Sequence, residues 1–310
     1  MKVILYKITG YTLLILCTLF VMEVLVRHIP NEYKLKRNYL DQYSDSIEVL
    51  FLGSSEVHTG LNPVYTTKRS FNAAHPAQTM DYCYALLDKY KNEWARLEYI
   101  VLEVSYPMLF MKMEDSHEAW RVKNYNVYYG IHLSKKLKSN TEILNGRLFD
   151  HMLRIFKYYV KGIDEILCSD LGWYISTVSE SSDFLYNHAV TAVEEHTVPP
   201  EQQRYHEMKS ALDSIIDFSQ RNGCQIIMCT PPVYKAYSEH VNKEQMDCTF
   251  STMADIIEKH SNCSYINLMD SKIFKDEDFF NSNHLNDKGA KKLTQIIDSL
   301  ITGSVTRSDL

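Results

Sequence analysis

Five short apolar blocks, separated by segments of helical periodicity, constrain this chain more than anything else in it. The blocks are residues 47–52 (IEVLFL), 70–74 (SFNAA), 99–104 (YIVLEV), 224–230 (CQIIMCT) and 264–268 (SYINL). Each is too short for a buried helix, and the first, third and fourth are rich in Ile, Val, Leu or Phe and stop at Gly, Pro or Ser. Between them, Met80, Cys83, Tyr84, Leu87, Tyr90 and Trp94 recur at helical spacing and predict a helix over 80–97. Pro199-Pro200 opens a longer helix that runs to Arg221 and stops at Gly223. Further helices are expected over 243–259 and from Asp287 to Ile301. Strands that alternate with helices imply a parallel sheet covered on both faces, a three-layer α/β/α sandwich.

Residues 110–198 break this rhythm. They are rich in Tyr, Asn, Ser and Lys, with a helical stretch at 147–161 and no buried-strand pattern. This stretch reads as a mostly helical cap inserted over the sheet. The N-terminus is a different material. Residues 8–26 (ITGYTLLILCTLFVMEVLV) are long and apolar enough to cross a bilayer, with Glu23 their one charged residue. Lys2 and Lys7 precede the run and favour a cytoplasmic N-terminus with the remainder exported. A cleaved signal peptide is the competing reading, but no small-x-small site follows, since Glu23, Val24 and Arg27 stand there. The expected organisation is a cytoplasmic tip and transmembrane signal anchor over 1–28 and a polar stalk over 29–46. The domain then occupies 47–305 and carries the cap at about 110–198.

Composition narrows the classes further. Hydrophobic residues make up 45% of the 310 and charged residues 23%, enough for a large core. The net charge of −6 offers no basic surface of the kind nucleic acid requires. The seven cysteines fit no zinc spacing, and nothing implies a metal or a cofactor. Cys83, Cys224 and Cys229 suit buried thiols, while Cys248 with Cys263 is the pair to examine for a disulfide. Trp120, Trp173, Tyr125, Tyr128 and Tyr129 admit a sugar platform or, more simply, core packing. The run Lys135-Lys136-Leu137-Lys138 reads as a solvated face.

Chemistry concentrates at the carboxyl ends of the blocks, where sites gather in open α/β sheets. The first block ends in Gly53-Ser54-Ser55, and a serine on a sharp strand-to-helix turn stands clear of the sheet edge. Near the other end of the chain, Asn281-Ser282-Asn283-His284-Leu285-Asn286 offers a histidine just before the last helix. A serine hydroxyl needs such a base, oriented by a third group, and donors for the oxyanion formed on attack. The combination points to a serine hydrolase or acyltransferase. His58 and His75 lie beside these segments, and Glu56, directly after the serine, reads as a first-turn charge complementing the helix dipole.

On these residues the chain resembles the SGNH (GDSL-type) hydrolases over 47–109 and 225–300. The resemblance is to their membrane-anchored, exported branch, which includes alginate O-acetylation proteins and the teichoic-acid D-alanylation protein. It implies a flavodoxin-like parallel sheet with Ser55 as nucleophile. His284 is the implied base, with position 281 of the Asp-x-x-His block its orienting group and Asp278 as alternative. Ala74 and Ser105 match the family's oxyanion donors, a Gly and an Asn, alongside Ser55 itself. Asn281 departs from the family's Asp and supplies an acceptor without a charge. The resemblance further implies an acylated surface polysaccharide or lipid-linked precursor as substrate, and a partner membrane acyltransferase. A catalytically weak or inactive glycan-binding scaffold of an acylation system stands as the alternative.

Overall fold

The computed structural model describes residues 2–304 apart from 165, 177 and 179. The strands are β1 (Val49–Leu52), β2 (Ser70–Asn72), β3 (Tyr99–Glu103), β4 (Gln225–Thr230), β5 (Cys263–Asn267), β6 (Phe279–Asn281) and β7 (His284–Leu285). The helices begin with α1 (Lys2–His28), α2 (Glu32–Tyr43), α3 (Ser55–Gly60), α4 (Met80–Lys89), α5 (Val122–Asn124) and α6 (Leu148–Tyr159). They continue with α7 (Ser182–His196), α8 (Tyr205–Asn222), α9 (Lys235–His240), α10 (Lys243–Lys259) and α11 (Asp287–Thr302). The chain packs as two units, one of Met1–Arg37 with His117–Ile166 and one of Asn38–Ser116 with Leu167–Leu310.

The second unit contains the sheet, in the order β2-β1-β3-β4-β5. Every neighbouring pair is parallel, with Leu50 beside Phe71 and Ile100, and Ile100 beside Ile226. All five strands fall on the apolar blocks of the sequence, and the expected three-layer α/β/α arrangement is present. Strand geometry sends successive side chains to opposite faces. Val49, Phe51, Val101, Ile227 and Cys229 share one face and form a core with Val57 of α3, Leu61 just after it, and Leu293, Ile297 and Ile301 of α11. Leu50, Leu52, Ile100, Leu102, Ile226 and Met228 alternate to the other face and are also buried. There α8 packs on β4 and on α4.

Several elements differ from the sequence reading. The helix expected over 80–97 ends at Lys89, where Tyr90 leaves helical geometry. Trp94 then folds back so that its indole N–H donates to the Leu87 carbonyl at 3.0 Å. Pro200–Gln202 forms only a 3-10 turn, and the long helix starts at Tyr205 after the Arg204 amide bonds the Phe110 carbonyl. Gly223 ends that helix with φ +70°, the left-handed conformation glycine takes without strain. Glu32–Tyr43, within the segment read as a stalk, is helical. Residues 182–196, which carried no evident periodicity, form the full helix α7. All seven cysteines are free thiols, so Cys248 and Cys263 are not paired, and burial pushes the Cys224 and Cys263 thiols up to about 11.

The first unit holds α1, a helix long and apolar enough to cross a membrane. Its polar centre is Glu142, fully buried, which accepts from Lys123 Nζ, Tyr128 OH and Arg154 Nη1. Burial would raise the Glu142 carboxyl, but these cations and the tyrosine hydroxyl outweigh it and hold it below its ordinary value. Tyr125, Tyr128 and Tyr129 are core residues here, and Trp173 is core in the second unit, whereas Trp120 is exposed beneath the Arg121 guanidinium. Lys135, Lys136, Leu137 and Lys138 are solvated.

Ile297 is fully buried between α11 and the sheet. Ile297→Ala is expected to lower the unfolding free energy of the second unit by about 2–5 kcal/mol, read by urea titration.

Candidate active site

The turn from β1 into α3 is built around a buried carboxylate. Glu103, the last residue of β3, lies on the same sheet face as α3. Its Oε2 accepts the backbone N–H of Ser54 at 2.6 Å and of Val57 at 3.3 Å. Its Oε1 accepts the hydroxyls of Ser54 and Ser105, both at 2.6 Å. Gly53 makes this approach feasible, since a Cβ there would stand 2.5 Å from both Glu103 Cβ and Oε2. The first four N–H groups of a helix lack intrahelical acceptors. Glu103 takes those of Ser54 and Val57, on either side of the Ser55 amide. Ser55 opens α3, half-buried, just past the carboxyl end of β1.

The base-side segment is held at every residue. Asn281 Oδ1 accepts the backbone N–H groups of Asn283 at 3.2 Å and His284 at 3.0 Å, and lies 2.8 Å from His284 Nδ1. Two backbone donors can only meet an oxygen, so the amide's orientation is fixed and His284 Nδ1 must carry the proton. Nε2 is then the unprotonated nitrogen, shielded from solvent and without a hydrogen-bond partner among the described residues. Ser282 Oγ meets His188 Nδ1 of α7 at 2.8 Å, and its carbonyl accepts the Tyr234 amide at 2.7 Å. Asn283 hydrogen-bonds Glu56 through its side chain. Asn286 caps α11 by accepting from the Lys288 and Gly289 amides. Gly289 is required beside it, since a Cβ there would lie 2.3 Å from the Asp278 carbonyl.

These two segments meet, because α3 packs on β7 and the Glu56–Asn283 bond links the residue after Ser55 to the residue before His284. Burial lowers the His284 pKa to about 3, and the nearby His196, His188 and His58 reinforce the effect. The imidazole is therefore neutral across the physiological range.

Not every residue singled out from sequence joins this arrangement. Asp278 is buried and engaged elsewhere, its Oδ2 accepting from Lys292 Nζ at 2.6 Å and from the Lys275 amide at 2.8 Å. Asn281, not Asp278, meets His284. The Ala74 amide donates to Asn72 Oδ1 at 3.0 Å, and the Ser105 hydroxyl is bound to Glu103, so both expected oxyanion donors are already committed. His58 and His75 are buried with ring centroids 6.5 Å apart, and His58 packs against Tyr174.

Glu103, Glu56, Asn283 and His188 were not anticipated as parts of the site. The acid inside YIVLEV, a charge in an otherwise apolar strand, was the available signal. Glu56 is not a solvated first-turn charge but is almost fully buried. Burial first, then the neighbouring Glu103 carboxylate, push its pKa well above the ordinary range, with only Asn283 opposing. Burial also raises Glu103, but its four donors favour the ionised form, so the proton of this pair resides on Glu56. Among the described residues no group of His, Cys, Asp and Glu is arranged to hold a metal ion.

The strand order and a serine at the carboxyl edge of β1 define a doubly wound α/β protein of flavodoxin-like topology. No protein-family model matches the chain, and no curated protein matches it. Among solved structures the chain is similar to one described as "The structure of a putative platelet activating factor from Streptococcus pneumonia". The TM-score is 0.43 at 11% identity, covering 94% of this chain and 99% of that one.

The protonated Glu56 has a pH signature. The folded protein keeps a proton that the unfolded chain releases at the ordinary carboxyl pKa, so stability falls as pH rises from that value through the raised one. Glu56→Gln removes this slope. In urea titrations the variant is expected to match wild type near about pH 4 and to gain on it steadily towards about pH 8.

Proposed function

We propose that this protein is a membrane-anchored serine esterase or O-acyltransferase of SGNH type, acting on ester-linked acyl groups of a cell-surface glycan or its precursor. The observation that carries the proposal is the Asn281 amide, pinned by two backbone N–H groups so that His284 presents Nε2 as its lone pair. In this mechanism Ser55 Oγ attacks the acyl carbonyl while His284 Nε2 takes its proton. Collapse of the tetrahedral intermediate breaks the ester bond, and His284 returns the proton to the departing alkoxide. Water or a sugar hydroxyl then attacks the acyl-enzyme, giving hydrolysis or transfer. The Ser55 backbone N–H, which Glu103 does not take, serves the oxyanion. The apolar α1 supports anchoring at the membrane, with the second unit on the extracytoplasmic side.

A second reading, a weak or inactive glycan-binding scaffold, is favoured by one feature. The imidazolium that must form during proton transfer is opposed by burial and by His196, His188 and His58, and Asn281 offers no charge to offset them. In the serine-protease template the Asp-to-Asn change at this position costs about 10⁴ in turnover, attributed to the wrong tautomer. Here the backbone enforces the productive tautomer, so only the electrostatic part of that loss applies.

A fluorophosphonate probe is expected to label the folded, full-length protein at Ser55 and to lose its signal in Ser55→Ala and His284→Ala. Absence of labelling in folded wild type would refute the enzyme reading. The kcat/KM profile on a p-nitrophenyl ester is expected to show no acid limb near the ordinary histidine value of 6.5, because His284 titrates at about 3. Asn281→Asp is expected to raise turnover and move that limb upward. Unchanged turnover in this variant, with tight glycan binding by wild type, would favour the scaffold.

A further inference from the structure

The helix α6 belongs to the first unit and presents an apolar face that is exposed among the described residues. Phe149, Met152, Leu153 and Phe156 recur at the spacing that stacks residues on one side of a helix, and Val160 at its C-cap extends the row. Phe149 is 72% exposed, Val160 68%, Met152 55% and Phe156 45%. The charged residues Asp150, Arg154 and Lys157 fall together on an adjoining side, and the buried His151 faces inward. A soluble surface seldom spends so many large apolar side chains in one stripe.

We propose that this face of α6 lies along the membrane–water interface, so that the first unit contacts lipid with one helix across the bilayer and another in its plane. The case rests on where α1 ends. From Val3 to Met22 the helix is predominantly apolar, with Lys7 its one charged residue, and is exposed nearly throughout, and about 20 residues at 1.5 Å each match a hydrocarbon thickness of roughly 30 Å. The next residue, Glu23, accepts the backbone N–H groups of Glu142 and Ile143, each at 3.0 Å. Arg27 donates to Glu23 at 2.6 Å and to the Asn140 carbonyl at 2.8 Å. This polar knot marks the level at which α1 leaves the hydrocarbon. Tyr159, the last residue of α6, donates its hydroxyl to the Leu25 carbonyl at 3.1 Å, and α6 packs on α1. The exposed stripe thus begins where the membrane ends. Its composition suits that depth, with phenylalanines on the apolar side and the exposed Arg147 and Lys161 flanking the helix, where they can meet anionic headgroups.

The test uses the full-length chain reconstituted in vesicles of phosphatidylcholine and phosphatidylglycerol. The photoreactive residue p-benzoylphenylalanine replaces Phe149, Phe156 or, as the polar-side comparison, Asp150, all exposed positions where folding does not depend on the native side chain. Irradiation is expected to yield lipid adducts at 149 and 156 and at least tenfold less at 150. Lipid adducts absent from 149 and 156, or equally abundant at 150, would overturn the proposal. So would adducts at 149 and 156 to a second copy of the chain, which would make this face a protein interface instead.

Discussion

The buried carboxylate of Glu103 is the interaction on which the rest of the candidate site depends. Removing a carboxylate from water is costly, and the cost is offset only where donors surround it. Here two hydroxyls and two backbone amides do so, and all but the Ser105 hydroxyl come from Ser54 in the β1–α3 turn and Val57 in the first turn of α3. The same bonds decide how the chain leaves the sheet. They require a glycine at position 53, draw Ser54 against β3 and send Ser55 out as the first residue of α3. Glu103 is thus a structural anion that gives the serine its address.

The other half of the site uses an amide where a triad would have an acid. A carboxylate at position 281 could accept the same three donors, so the geometry does not need the charge. What the amide gives up is stabilisation of a protonated imidazole, and three further histidines make that loss larger. The proton held on Glu56 works in the same direction, since it removes one negative charge from the segment bonded to Asn283 beside His284. The site is thereby well ordered and electrostatically unhelpful to a cation. The Glu56–Asn283 bond ties its two halves without adding charge.

Much of the fold could be read from residue patterns, because strands buried on both faces are continuous apolar runs and parallel strands need helices between them. The five strands and the helices α10 and α11 fall close to where the periodicity puts them. The helix α4 does not, because Trp94 satisfies a backbone carbonyl that a longer helix would have used. The helix α7 escaped notice because its exposed side carries Phe184 and Tyr186 among polar residues, which blurs the apolar stripe. At the candidate site, Ser55, His284 and Asn281 stand out in the sequence because they belong to local motifs beside a strand and a helix. The Ala74 amide, the Ser105 hydroxyl and the Asp278 carboxylate are engaged elsewhere in the structure. Asn72, Glu103 and Lys292 occupy them, and no local pattern reveals a bond made across the fold.

The distance in sequence between the two halves of the site carries a consequence for how the protein comes into being. Ser55 and its turn emerge early, whereas Asn281 and His284 follow more than two hundred residues later. At about 5–20 residues per second, synthesis separates them by roughly ten to fifty seconds. The strand β1 also waits for the central strand β3, which carries Glu103, before the turn is clamped. A chain that stops short of β7 lacks the strand on which α3 packs. The second unit brings these two segments together only late in biosynthesis, when the last helix closes on the sheet.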